Sequence, residues 1–240
     1  MSSSRYQSSI DFSSVTALTF DCYGTLIDWE TGIINAFRPI LAAHNAALSN
    51  EEILATFSEL ESPIQQGAYQ RYRDILSQVC CAFGIRHGFT PDEKESASIA
   101  ESISIWPPFT DTVASLKALK DRFKLGILSN IDDDLFTGSN KLLQIGFDWI
   151  ITSEHVGSYK PSQQNFRHML DTLGIPKEQI LHVAQSLYHD IAPANALEIK
   201  TVWVNRRKEK AGAGATPPSE ARPDIEVASL AELVSICGLT

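Results

Sequence analysis

The chain predicts an α/β fold: a doubly wound, mainly parallel sheet with an all-helical segment inserted after the first strand. Three observations predict it. After residue 105, short β-branched runs alternate with helical stretches, the rhythm of βαβ units. Residues 29–105 break that rhythm and read as helix after helix. The first apolar run, Val15 to Phe20, ends abruptly in Asp21-Cys22-Tyr23-Gly24-Thr25-Leu26, as a buried strand does when it delivers polar residues to its carboxyl end.

The elements follow in order. Val15 to Phe20 is the first strand. In the helical segment, Ser49 with Glu52 and Thr90 with Glu93 form capping boxes, the second with Pro91 at the first helical position. Tyr69, Tyr72, Leu76, Val79 and Phe83 recur at helical spacing. Pro107-Pro108 marks the return to the sheet. Leu125 to Leu128 is a strand and Asp132 to Gln144 a helix with an acidic first turn, which the helix dipole favours. Trp149 to Thr152 is a strand, and Gln163 to Leu173 a helix closed by Gly174. Ile180 to Ala184 and Thr201 to Val204 are strands flanking a helix over Ile191 to Leu197. Ile225 and Val227 belong to the last strand, and Ser229 with Glu232 caps the last helix. The domain plan is therefore a tail over residues 1–14, an α/β core over 15–28 and 106–240, and a helical cap over 29–105. A cap above the strand ends suits exclusion of water from a site.

With 240 residues and 43% hydrophobic content, the chain is long and apolar enough for a sizeable core. A net charge of −9 argues against non-specific nucleic-acid binding, which needs Lys and Arg to neutralise phosphates. No run is apolar enough to span a bilayer, and the serine-rich start has no signal-peptide core. Cys22, Cys80, Cys81 and Cys237 show neither CxxC nor zinc-ligand spacing, so reduced thiols in a cytoplasmic protein are expected. Cys22 is expected in the core by strand alternation. The expected partner is a small molecule, with no nucleic acid and no membrane; a homodimer stays open.

Four segments place chemistry at predicted strand ends, where open α/β sheets bind ligands. Asp21 is a carboxylate able to act as a nucleophile, or merely a turn former. Ser129 and Asn130 follow the strand Ile127-Leu128 and offer a hydroxyl and an amide, or a helix cap. Lys160, in Ser158-Tyr159-Lys160-Pro161, supplies a cation. Ser186 and Asp190 follow the strand that ends in Val183-Ala184-Gln185. His189 reads as a packing histidine, and His182 as a strand-start residue.

In this order the four segments resemble the haloacid dehalogenase superfamily, over Val15 to the C-terminus. The resemblance implies a Rossmann-like core with a helical cap, and a catalytic set of Asp21 as nucleophile, Thr25 orienting it, Lys160 keeping it ionised and Asp190 positioning water. It gives substrate contacts to Tyr23, Ser129, Asn130 and Ser186. Asp-x-Tyr-Gly-Thr-Leu, Ser-Asn and Tyr-Lys-Pro look most like the L-2-haloacid dehalogenase branch, which needs no metal or cofactor. There an aspartate displaces halide from a 2-haloalkanoate, and water cleaves the ester.

The phosphatase branch carries an acid two residues after the nucleophile; here that residue is Tyr23. Its last motif commonly reads Gly-Asp, where this chain has Ala184-Gln185. Dehalogenases carry a halide-receiving arginine early in the cap, where Thr56-Phe57-Ser58-Glu59 has none; Glu59 and Glu61 would repel a halide if they faced the site. Phe166 and Leu187 replace a family Tyr and Asn. A phosphatase with an atypical acid, and a non-catalytic metabolite-binding scaffold, are the alternative readings.

Overall fold

The computed structural model describes residues 10–208 and 215–239. One sheet is built from β1 (Ala17–Phe20), β2 (Lys124–Ser129), β3 (Trp149–Thr152), β4 (Ile180–Ala184), β5 (Lys200–Val204) and β6 (Ile225–Val227). All pairings are parallel, in the order β3-β2-β1-β4-β5-β6. The chain winds outward through β2 and β3 on one side of β1, then through β4, β5 and β6 on the other. The switch point thus lies at β1, and Phe20 is in register with both Ile127 and Val183. Asp21, Ser129 and the segment after Ala184 therefore emerge at one edge, where a ligand crevice forms.

All four residues of β1 are buried, as a central parallel strand requires. Leu18 and Phe20 join one apolar cluster; Ala17 joins another with Leu128, Ile151, Phe166 and Met169. This is strand alternation feeding both faces.

Between β1 and β2 come α1 (Trp29–Ala43), α2 (Asn50–Gln65), α3 (Tyr72–Arg86), α4 (Glu93–Ser102), a single turn of 3₁₀-helix (Ile103–Ile105) and α5 (Thr112–Lys120). Phe37 packs on Phe83 and, edge-on, on Phe57. These rings share the apolar cluster of Leu18 and Phe20, so insert and sheet bury one continuous core. The rest of the chain adds α6 (Asp133–Leu143), α7 (Ser153–Val156), α8 (Gln163–Leu173), α9 (Ala192–Ala196) and α10 (Leu230–Ile236).

Local expectations were met to different degrees. The Ser49/Glu52 capping box forms with both reciprocal bonds. The second box does not use Thr90 and Glu93: Asp92 caps α4 with Glu95. Pro91 is drawn out of the helix because its ring fills the space beside Gly84, 2.4 Å from where a Cβ there would lie. Ser229 accepts from Glu232 N, but the Glu232 carboxylate reaches back to Ala228 N, one residue early. The helix expected over Ile191 to Leu197 opens as one turn of π-helix (Leu187–Ile191) before α9. Asp190 thus lies within a wide turn rather than at a helix start. Of the predicted tail, residues 1–9 lie outside the described residues, and Asp11 to Ser14 form a turn whose Phe12 carbonyl accepts from Arg122.

Gly32 in α1 faces the Trp106 ring, and a Cβ there would stand 2.3 Å from it. Gly32→Ala should therefore cost about 1–3 kcal/mol, read from the midpoint of urea unfolding. A midpoint equal to wild type would show that Trp106 is not held where it is described.

Candidate active site

Asp21 continues β1 by one hydrogen bond, its N–H donating to the Val183 carbonyl at 3.1 Å. The chain then coils tightly: the Cys22 carbonyl accepts from Leu26 N at 2.7 Å and Ile27 N at 3.0 Å. Gly24 sits at φ +93°, where a side chain would be strained and would also press on Trp29. The coil brings Thr25 back over Asp21. Its hydroxyl donates to Asp21 Oδ2 at 2.8 Å and accepts from Gln185 N at 2.9 Å. Cys22 is fully buried, as expected.

The other carboxylate oxygen is held by Lys160. Its ammonium donates to Asp21 Oδ1 at 2.9 Å, Leu128 O at 2.8 Å and Asp190 Oδ1 at 2.6 Å. Asn130 fixes the lysine from behind: Lys160 N donates to its Oδ1 at 2.7 Å, and its Nδ2 donates to the Lys160 carbonyl at 3.0 Å. Asn130, expected to bond substrate and nucleophile, instead spends its amide on the lysine backbone. Asp190 Oδ1 also meets His182 Nε2 at 2.9 Å, and His182 Nδ1 meets Thr19 Oγ1 at 2.9 Å. His182 is thus a buried part of the charge network, a role its position in a strand did not disclose. Thr19 is reached from β1 because alternate strand residues face opposite sides.

Two carboxylates and one ammonium, all nearly inaccessible, form this cluster. Burial raises the Asp21 carboxyl above the usual carboxylate range, and Asp190 pushes the same way, against the lowering pull of Lys160. Lys160 favours the ionised Asp21 carboxylate, but burial outweighs that pull, so the net shift is upward. Asp190 is lowered: burial opposes ionisation, but Lys160 and His182 together overcome it. Lys160 is raised by the two carboxylates in spite of its burial.

Above the cluster lies a cavity of about 50 Å³ lined by Asp21, Ser129, Lys160 and Asp190 below and by residues of the insert above. It has room for a few waters or a small ligand. Tyr23 presents its ring, edge-on to Trp106 at 6.0 Å, while its hydroxyl is tied to Ser139 at 2.9 Å. Ser186 also lines the cavity; its hydroxyl caps the π-turn by accepting from His189 N. His189 lines it too, and burial pushes its pKa down to about 4, so the imidazole is neutral at pH 7. Two residues that line the cavity carry a buried oxygen with no partner among the described residues: Ser129 Oγ and Asp190 Oδ2. A neighbouring cleft of about 260 Å³ shares Gln65, Lys160 and His189 with it.

Of the two cap acids, Glu59 is exposed and pairs with Arg86, whereas Glu61 lines the cavity. Glu61 is 4% exposed and burial raises its pKa to about 7. Tyr72 OH and Gln65 Nε2 both donate to its Oε1, at 2.9 and 2.7 Å. The signal was present in the sequence: Ile53, Phe57 and Glu61 recur every fourth residue, so an acid stands on the buried stripe of α2. Arg71 and Arg73 are drawn away from the cavity, Arg71 to Asp132, Asp134 and Glu154, Arg73 to Asp132 and Asp134.

A divalent cation of the phosphatase kind needs several available anionic oxygens. The residues here do not fit one. Asp21 Oδ1 and Asp190 Oδ1 are bonded to Lys160, Asp21 Oδ2 is bonded to Thr25, and Gln185 stands where a third acid would serve. Among the described residues, no group of three or more His, Cys, Asp and Glu side chains is arranged to hold a metal.

A strand-end aspartate locked to a buried lysine, on a doubly wound sheet under a helical insert, defines a hydrolase of the α/β class. The chain belongs to the haloacid dehalogenase-like hydrolases, whose family model matches residues 15–197. It is 25% identical over 232 residues to an (S)-2-haloacid dehalogenase of Pseudomonas putida, covering 92% of this chain and 95% of that one. It is 30% identical over 139 residues to a glyceraldehyde 3-phosphate phosphatase of Methanocaldococcus jannaschii, covering 56% of this chain and 58% of that one. The fold matches the L-2-haloacid dehalogenase from Xanthobacter autotrophicus with a TM-score of 0.77 at 21% identity, over 92% of this chain and 98% of that one. No helix among the described residues is long and apolar enough to cross a membrane.

Two stability outcomes follow from the charges. Lys160→Met leaves Asp21 and Asp190 buried without their cation, and should destabilise by about 3–5 kcal/mol in urea unfolding. For Glu61 the folded protein binds its proton more tightly than the unfolded chain, whose glutamate titrates near 4.5. This group's contribution to stability is therefore full below pH 4.5 and is lost as pH rises through about 7. Glu61→Gln removes that dependence, so its stability relative to wild type should improve by on the order of 2–3 kcal/mol from pH 4 to pH 8. Parallel pH–stability curves for the two proteins would contradict the burial of an ionisable Glu61.

Proposed function

We propose that the chain is a metal-independent hydrolase of the dehalogenase type, working through a covalent ester on Asp21 with a small substrate in the cavity above it. The observation that carries this reading is the state of Asp21: a strand-end carboxylate with one oxygen on Lys160 and the other on Thr25, opening into a cavity beside the unpartnered Ser129 hydroxyl. Relatives named as (S)-2-haloacid dehalogenases, matched over nearly their whole length, support it.

In this reading an Asp21 oxygen attacks the carbon that bears the leaving group, and that bond's electron pair departs with the leaving group. The carboxylate is buried and poorly hydrated, so little solvent is stripped from it during attack. Ser129 is free to donate to a substrate oxygen. Water then attacks the ester, and Asp190 Oδ2, buried and unpartnered, accepts a hydrogen bond from that water. Lys160 stays bonded to Asp21 and offsets the charge that returns to it as the ester cleaves. Tyr23 contributes a ring wall rather than an acid, since burial raises its phenol further above neutrality. The acidic composition and free thiols suit a cytoplasmic setting.

The test is a screen for halide and phosphate release from small haloalkanes, haloacids, haloamines and phosphate esters, with Mg²⁺ and with EDTA. Release indifferent to EDTA is expected, and Asp21→Asn should lose it by roughly three orders of magnitude or more while still folding, as a cooperative urea transition would show. Because the Asp21 carboxyl is raised, and the ionised form attacks, the rate should fall in acid with a midpoint above that of an ordinary aspartate. Phosphate release that requires Mg²⁺, or full turnover by Asp21→Asn, would contradict the proposal.

A further inference from the structure

The cavity above Asp21 is short of positive charge. Its lining includes three acidic side chains, Asp21, Glu61 and Asp190, and one basic one, Lys160. Lys160 has nothing left to offer: its three N–H groups end on Asp21, Leu128 and Asp190. His189 is neutral at pH 7, and Asn130, whose amide bonds the Lys160 backbone, carries no charge. The arginines that start α3 are held by acids outside the cavity.

What the cavity offers instead is acceptors and aromatic rings. Both hydrogen bonds to Glu61 end on Oε1, so Oε2 has no partner among the described residues. Asp190 Oδ2 and Ser129 Oγ, in residues that line the same space, are buried and also without partners. Trp29, Trp106, Tyr23 and Tyr72 supply aromatic walls. Among the described residues, a carboxylate or halide entering here meets an excess of acidic side chains and no cation free to receive it. Aromatic faces and an unpaired carboxylate oxygen are the surroundings that attract an organic cation.

We propose that this cavity recognises a small organic ammonium group, with Glu61 as its counter-ion. This rests on the reading of the cavity as the substrate site and specifies that substrate's chemistry: the ammonium sits under α2, beside the carbon that Asp21 attacks. A metal ion is a poorer occupant, because aromatic rings give a hard cation no oxygen and, of the carboxylate oxygens around the cavity, only Glu61 Oε2 and Asp190 Oδ2 are not already bonded. An ammonium has three N–H donors and a compact charge, and Glu61 Oε2 and the Ser129 hydroxyl are free to accept from it.

The test is calorimetric titration of the full chain at pH 8 with two ions of one shape and opposite charge, isopropylammonium and isobutyrate, and with sodium bromide and magnesium chloride. Isopropylammonium should bind at least about tenfold tighter than isobutyrate or bromide, and Glu61→Gln should weaken it about tenfold or more. The glutamine keeps a side chain of the same shape for Tyr72 and Gln65. Should that variant misfold, the wild type decides alone: saturating isopropylammonium should lower the Glu61 titration midpoint, followed by ¹³C NMR of its carboxyl, from about 7. Isobutyrate or bromide binding as tightly, Mg²⁺ displacing isopropylammonium, no binding of isopropylammonium, or an unmoved Glu61 midpoint would each overturn the proposal. Binding is read without turnover, so ammonium recognition without ester formation at Asp21 would sink the proposed function and leave this inference standing. Ester formation without ammonium recognition would do the reverse.

Discussion

One buried ammonium organises the functional end of this protein. Lys160 joins Asp21 at the end of β1 to Asp190 in the π-turn after β4, and bonds the last backbone carbonyl but one of β2. Three neighbouring strand ends are thereby tied to one charge. Removing such a charge from water costs several kcal/mol, which only close and well-aligned partners can offset. The surrounding structure supplies that alignment: Asn130 clamps the lysine backbone, Thr25 the second oxygen of Asp21, and His182 the shared oxygen of Asp190. The result is a carboxylate held at a fixed place with its proton affinity set by burial rather than by solvent.

The insert completes what the sheet begins. The start of α3 is fastened to the core by Asp132, which accepts from Tyr72 N at 2.8 Å and Arg73 N at 3.0 Å. Tyr72 is thereby fixed, and its hydroxyl in turn fixes Glu61 across from the α/β core. Tyr159, next to Lys160, donates to the Gln70 carbonyl at 2.8 Å and ties the same region from the other side. The lysine loop and the roof of the cavity are therefore positioned by one set of contacts. The roof, with an acid and, among the described residues, no arginine lining the cavity, departs from the dehalogenase pattern that the sequence suggests.

Much of this was legible in the sequence, for physical reasons. Asp21 and Asp190 could be found because abrupt apolar-to-polar changes mark strand ends, and a doubly wound sheet gathers strand ends at one edge; the roles of Thr25 and Lys160 came from the resemblance to haloacid dehalogenases. Pairwise partners were less visible. Asn130 was read as a ligand-facing amide, yet an amide can satisfy a backbone N–H and C=O at once, and the Lys160 peptide is the nearer claimant. His182 looked like an ordinary strand residue because nothing local reveals that Thr19 and Asp190 lie on its two nitrogens. The π-turn over Leu187–Ile191 that carries Asp190 was not foreseen, since the helix was expected to begin only at Ile191 and a wide turn leaves no mark on apolar spacing. Glu61 was noticed only for its charge; its place on the Ile53–Phe57 stripe carried the information about burial.

The central claim is that the Asp21 side chain bonds covalently to substrate and is regenerated by water. A single turnover in H₂¹⁸O, with enzyme in excess over substrate and mass spectrometry of the peptide that contains Asp21, tests it most directly. Ester hydrolysis at the carboxyl carbon predicts that the label enters the Asp21 side chain while product carries none. Label found in the product alone, with Asp21 unlabelled, would mean that water attacks the substrate directly and would contradict the account.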